Sequence, residues 1–175
     1  MHTINIDQLG LDFDKQQYIN ECITDNQVDI QFGYAADFKN AKILRDFMEV
    51  IFITFDFPKK EIARFILASD EMNNNAIEYW SSKDEINYLR IKINKQNTII
   101  SLSMEVEDTW NWKFAKTAEE MEEFKKIRIH ENYKEHKSIR WRGLFLIIIN
   151  IVDELYFKNT DNGWLIVWFK KDLLI

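Results

Sequence analysis

The stretch FPKKEIARFILASDEMNNNAIEY, residues 57–79, carries two patterns at once. Pro58 suits the first turn of a helix, which is predicted to run from Pro58 to about Trp80. Ile62, Phe65, Ile66, Ser69, Ala76, Ile77 and Trp80 then fall on one stripe, as an amphipathic helix requires. Three consecutive asparagines, Asn73 to Asn75, interrupt it. Asparagine competes for local backbone hydrogen bonds and is a poor choice inside a helix, so a function is one reason to keep it there. Glu71 and Asn75 are spaced i, i+4 and are therefore neighbours. On the wheel they lie roughly opposite the apolar stripe, so one face can pack on a sheet while the other presents a carboxylate beside an amide. Such a carboxylate can take a proton from an attacking hydroxyl, and an amide oxygen can coordinate a hard cation such as Mg²⁺. The plain alternative is a polar pair on a solvated helix face.

Upstream, VDIQFGYAA (28–36) alternates apolar and polar residues at first and reads as a strand. Asp37 can cap a following helix whose Phe38, Ala41, Leu44, Met48 and Ile51 share a face. Residues 1–27 are mixed and polar, with a short helix possible at FDKQQYINECI, and are set apart as an N-terminal extension. Downstream, Leu89, Ile91 and Ile93 alternate with charged residues, as do Ile100, Leu102, Met104 and Val106 with polar ones. The connector Asn94–Asn97 makes these an antiparallel hairpin with one face against a core. Residues 113–139 are charge-dense, though Ala118, Met121, Phe124 and Ile127 give a weak helical stripe. Gly143–Leu155 is nearly continuous apolar sequence, and periodicity alone leaves it open between buried helix and strand. ELYFKN and GWLIVWFK are joined by Thr160-Asp161-Asn162-Gly163, a strong hairpin signal. Together these segments predict an α/β fold: a two-layer sandwich in which helices cover one face of a mixed, mostly antiparallel sheet.

Composition excludes several function classes. With 46% hydrophobic and 14% aromatic residues over 175 positions, the chain can build one real core. A net charge of −6 with interspersed signs argues against a basic nucleic-acid surface. Cys22 is the only cysteine, which rules out an intramolecular disulfide or a cysteine-rich zinc site. The N-terminus lacks a basic n-region and an apolar h-region, and the longest apolar run, Leu144 to Val152, is too short to span a bilayer. A cytoplasmic protein is expected, with neither nucleic acid nor membrane as partner.

Glu71-x-x-x-Asn75-Ala76 resembles the N box of the GHKL superfamily of histidine-kinase-like ATPases, and most closely that of the small bacterial anti-sigma factor serine kinases. The resemblance extends over most of residues 28–171. FGYAADFKNAKILRDFMEVIF looks like the family's opening strand and helix, and MEVED like the strand leading to its adenine-binding Asp. WRGLFLIIINIVDELYF looks like the second glycine box with its helix, and DNGWLIVWFKK like the closing strand. The order and spacing of these segments are more specific than any one of them. The resemblance implies a GHKL ATPase-like domain over 28–175, with residues 113–139 as its lid and a buried helix from Gly143. It implies Glu71 as catalytic base, Asn75 as Mg²⁺ ligand and Asp108 as acceptor for the adenine amino group. Arg142, Gly143 and Leu144 would stand at the phosphate-binding helix start, where free N–H groups favour an anion.

The sequence departs from the family at the cleft. The first glycine box, Asp-x-Gly-x-Gly, is here Asp108-Thr109-Trp110-Asn111-Trp112. In the second, Gly-x-Gly is Trp141-Arg142-Gly143. A Thr common on the closing strand is Trp164, and Tyr79 stands where a His often follows the N box. Glycine at such places lets the main chain approach the ligand. Each Trp instead adds a ring that buries ~150–250 Å² when packed. The four indoles of Trp110, Trp112, Trp141 and Trp164 are expected to fill the cleft and block the pocket. Ordinary core packing and a stacking platform for another planar ligand stay open beside that reading.

The expectation is therefore a degenerate GHKL-fold regulator that binds proteins and holds no cofactor. Its partners would be a sigma factor or an antagonist protein, with a homodimer possible. The alternative is an active serine/threonine protein kinase that uses ATP and Mg²⁺ to phosphorylate the antagonist.

Overall fold

A computed structural model describes residues 1–10, 13–80, 85–108, 117–130 and 150–175. In chain order it contains strand β1 (His2–Asn5), helix α1 (Lys15–Cys22), β2 (Gln27–Ala35), α2 (Phe38–Thr54), α3 (Lys59–Asn75), β3 (Ile86–Gln96), β4 (Ile99–Glu107), α4 (Ala118–His130), β5 (Glu154–Asn159) and β6 (Leu165–Leu174). Among the described residues the strands form one mixed six-stranded sheet in the order β1-β2-β3-β4-β6-β5. Only β1 and β2 pair in parallel; the other neighbours are antiparallel. The architecture is α/β, compatible with a two-layer sandwich.

Strand alternation creates the two faces. Ile30, Ile91, Met104, Phe169 and Leu155 line up across five strands, and Phe32, Leu89, Val106, Val167 and Phe157 form the next row. All ten are buried in the core. The intervening positions, such as Gln31, Arg90, Glu105, Trp168 and Tyr156, occupy the opposite face and are half-buried or exposed. Helix α2 covers the apolar face with Leu44, Phe47, Met48, Ile51 and Phe52, at helical spacing. Phe47 meets Phe32 of β2 at 5.0 Å between ring centroids, and Phe65 of α3 stacks on Phe169 of β6 at 6.4 Å. The two helices are stapled at their turn by Phe52 and Phe57, 5.0 Å apart, with Phe65 closing the cluster.

Asp37 caps α2 by accepting a hydrogen bond from the Lys39 N–H, 2.9 Å. The expected face of α2 holds at Leu44, Met48 and Ile51 but not at Phe38, which is 58% exposed. Phe38 is the first residue of the helix, in the turn beside its cap, where the wheel no longer constrains contact with the sheet. Pro58 stands at the N-cap of α3. That helix ends at Asn75 and continues as a π-helical turn, Ala76–Trp80, where one unbroken α-helix was expected. The middle hairpin turns on Asn97 and Thr98, with Asn97 at φ 50°, a conformation asparagine tolerates. The second hairpin turns through Thr160–Gly163, and Gly163 takes φ 80°.

The N-terminal segment is built into the same sheet. β1 supplies its parallel edge, and Ile4, Ile6, Ile19 and Cys22 join the common core. The charge-dense segment contains α4, which buries Ala118 and Met121 and leaves Ile127 44% exposed. Leu155, the end of the apolar run from Gly143, belongs to β5. The expected helix start at Arg142, Gly143 and Leu144 lies outside the described residues. No helix among the described residues is long and apolar enough to cross a membrane.

Candidate functional site

The polar end of α3 meets the sheet through a buried chain of hydrogen bonds. Tyr34, near the end of β2, donates its hydroxyl to Asn73 Oδ1 at 2.7 Å. Asn73 Nδ2 in turn donates to Ser69 Oγ at 3.1 Å, one helical turn back. All three residues are buried, so each bond satisfies a group that water cannot reach. The chain also accounts for part of the asparagine run. Ser69 lies on the apolar stripe, and i, i+4 spacing brings Asn73 over it.

Asn75 was expected on the face opposite that stripe, yet it is only 5% exposed. Its Nδ2 donates to the Glu71 carbonyl, 2.6 Å away, so the side chain folds back along its own helix. That local bond satisfies the amide nitrogen without solvent and makes burial tolerable. Glu71 itself is half-buried. Burial, and then the neighbouring charge of Asp70, hold its carboxyl above the usual range. Asp70 is paired with Arg45 at 2.6 Å. The structure thus brings Glu71 and Asn75 together through a side chain–main chain bond.

Asp108 follows the last residue of β4 and is 2% exposed. Its N–H continues the ladder to the Leu165 carbonyl at 3.1 Å, while its Oδ1 accepts the Leu165 N–H at 3.0 Å. One carboxylate oxygen therefore stands in for a main-chain acceptor at the start of β6. Burial pushes the carboxyl up to about 7, partly offset by the Leu165 N–H, with Glu107 and Glu85 adding to the rise. Burial also raises the Tyr34 hydroxyl, and the charge of Asp108 adds to it. Tyr34 thus faces Asn73 by hydrogen bond and senses Asp108 by charge, which places the α3 asparagines and the β4 acid at one end of the sheet.

Trp164 is half-buried and belongs to the hairpin turn. Its N–H donates to Thr160 Oγ at 2.9 Å, and its carbonyl accepts the Thr160 N–H at 2.8 Å. It is the residue before Leu165, so it adjoins the strand position that Asp108 engages. Trp110, Trp112 and Trp141 lie outside the described residues, as do Arg142, Gly143 and Leu144.

Two contributors at this end were not singled out from the sequence. Tyr34 looked like one more residue of an alternating strand. Asp7, in the N-terminal segment, receives the Ala35 N–H at 2.7 Å and Asn40 Nδ2 at 2.9 Å, tying the end of β2 to the start of α2. Neither a protein-family model nor a curated protein matches this chain.

Proposed function

We propose that the chain is a degenerate GHKL-fold regulator, similar to the anti-sigma factor kinases, that acts by binding proteins and transfers no phosphoryl group. The observation that carries the reading is Asp108. An adenine-binding acid must offer its carboxylate to a ligand, whereas Asp108 is 2% exposed and spends Oδ1 on the Leu165 N–H. A carboxyl held near pH 7 by burial is also a weaker acceptor at neutral pH than an ordinary, fully ionised one. The surrounding layout supports the GHKL resemblance: the helix with Glu71 and Asn75 lies over the same sheet whose fourth strand ends at Glu107, one residue before Asp108. Replacement of the first-box glycines by Trp110 and Trp112 supports loss of the phosphate cradle, since such a cradle needs close main-chain approach. On this reading the protein is a cytoplasmic regulator whose partners are a sigma factor or its antagonist.

One observation favours the active kinase as a second reading. The Glu71 carboxyl is more basic than usual, as a general base benefits from being. Its backbone carbonyl also holds the Asn75 nitrogen, leaving the amide oxygen as the atom available to Mg²⁺. There Glu71 would take the proton of a substrate serine while Asn75 held the ion.

Thermal denaturation with millimolar ATP, ADP or GTP and Mg²⁺ separates the two, because a ligand specific for the native state raises Tm. The degenerate regulator gives no shift with any nucleotide. A clear shift that disappears in Asn75→Ala overturns it in favour of the kinase.

A further inference from the structure

The face of the sheet away from the helices carries a cavity of about 450 Å³ that neither reading uses. It lies over β2, β3, β4 and β6, and its floor includes the cross-strand row Asp29, Lys92, Ser103 and Lys170. Two lysines flank one serine there, on the strands either side of β4, so their Cα atoms stand about 10 Å apart, two inter-strand spacings.

The cavity lining sets two lysines and a serine beside two carboxylates, Asp25 and Asp29. Lys92 is exposed and stands across from Asp29 in the β2–β3 pairing, where its charge helps to lower the Asp29 carboxyl. Lys170 has a long, solvent-exposed contact with Asp172 at 3.7 Å, a pair of little worth, and its charge also acts on Asp153. Ser103 Oγ already accepts the Trp168 indole N–H, which leaves its own hydroxyl hydrogen to donate outward. Asn94 also lines the cavity, and its Oδ1 is buried without a hydrogen-bond partner, which leaves an acceptor there unanswered. Of the two carboxylates, Asp25 is exposed, while Asp29 is clamped by Arg90 at 2.8 and 2.7 Å, a pair that holds the Asp29 carboxyl below the usual range. Its charge is largely answered from the side.

We propose that this cavity binds a small organic dianion, with an oxyanion group between Lys92 and Lys170 and a hydrogen bond from Ser103. Two cations and a neutral donor match an oxyanion, since charge-assisted hydrogen bonds are the strong ones. The volume exceeds what inorganic phosphate needs and falls within the usual range for small-molecule sites. The site stands apart from the Asp108 end of the sheet, so it does not depend on the function proposed above.

The test is calorimetric titration of the full chain with glycerol 3-phosphate, inorganic phosphate and glycerol. Saturable binding of glycerol 3-phosphate is expected, with weaker phosphate binding and none for glycerol. Lys92→Gln and Lys170→Gln should each weaken it about tenfold, the loss expected of one charge-assisted hydrogen bond. Lys158→Gln, on the same sheet face but at β5, should leave it unchanged. These exposed or half-buried lysines can be replaced without disturbing the core, and circular dichroism of each variant checks that. Absence of saturable binding at ~10 mM, where even a millimolar site fills, overturns the proposal. Binding that survives both Lys92→Gln and Lys170→Gln, or falls equally in Lys158→Gln, overturns it as well.

Discussion

Tyr34 and Asn73 depend on each other for satisfaction in the core. Replacing Tyr34 by Phe keeps the ring but leaves Asn73 Oδ1 without the donor now 2.7 Å away. Stranding a buried acceptor costs about 1–3 kcal/mol, and urea denaturation of Tyr34→Phe should register a loss of that size. A loss within error of zero would mean that the chain contributes nothing to stability. Asp108 makes a prediction in pH. Its carboxyl titrates near 7 when folded against 3.8 as its ordinary value, so the folded state binds the proton more tightly. Stability should therefore fall as pH rises from about 4 through about 7 and level off above that, as linkage requires of a raised acid. Asp108→Asn keeps an oxygen for the Leu165 N–H and removes the titration. It should flatten that slope and be more stable than the parent above pH 7. Denaturant midpoints across this pH range, compared between the two proteins, decide the point.

At the scale of the element, the clearest single device is the Asp37 cap of α2. Asp37→Ala should cost about 1 kcal/mol, the usual loss when an N-cap acceptor goes, and thermal or urea melts would read it. Asp37 was legible because the residue precedes an apolar stripe of helical period, and caps act over two or three residues. The two hairpins were legible for the same reason: alternation and turn residues are local. Strand β1 was not, since its four residues, HTIN, carry no period and are held by parallel pairing to a strand far along the chain. The burial of Asn75 was not legible either. A helical wheel gives the direction of a side chain, not what lies in that direction, and it cannot show an amide turned back onto the Glu71 carbonyl. Asn73 was half legible: the asparagine run drew notice, but only Tyr34, supplied by β2, explains why the first of the three is in the core.

Across the whole molecule, the sheet separates two environments. The helical side holds the aromatic core and, at one end, Glu71, Asn75, Tyr34 and Asp108. The other side carries charges and the lysine-flanked cavity. The α/β class followed from the order of segments, while the sheet order required pairings that no local pattern contains. β5, for example, lies outside β6 although it precedes it in sequence. The proposed regulator binds no nucleotide at the Asp108 end. Titrating Mg-ATP into the protein in a calorimeter tests it most directly. The account predicts no saturable heat at the Asp108 end, with any weak signal unchanged in Asp108→Asn and Asn75→Ala. Binding at one ATP per chain that is lost in both variants would contradict it.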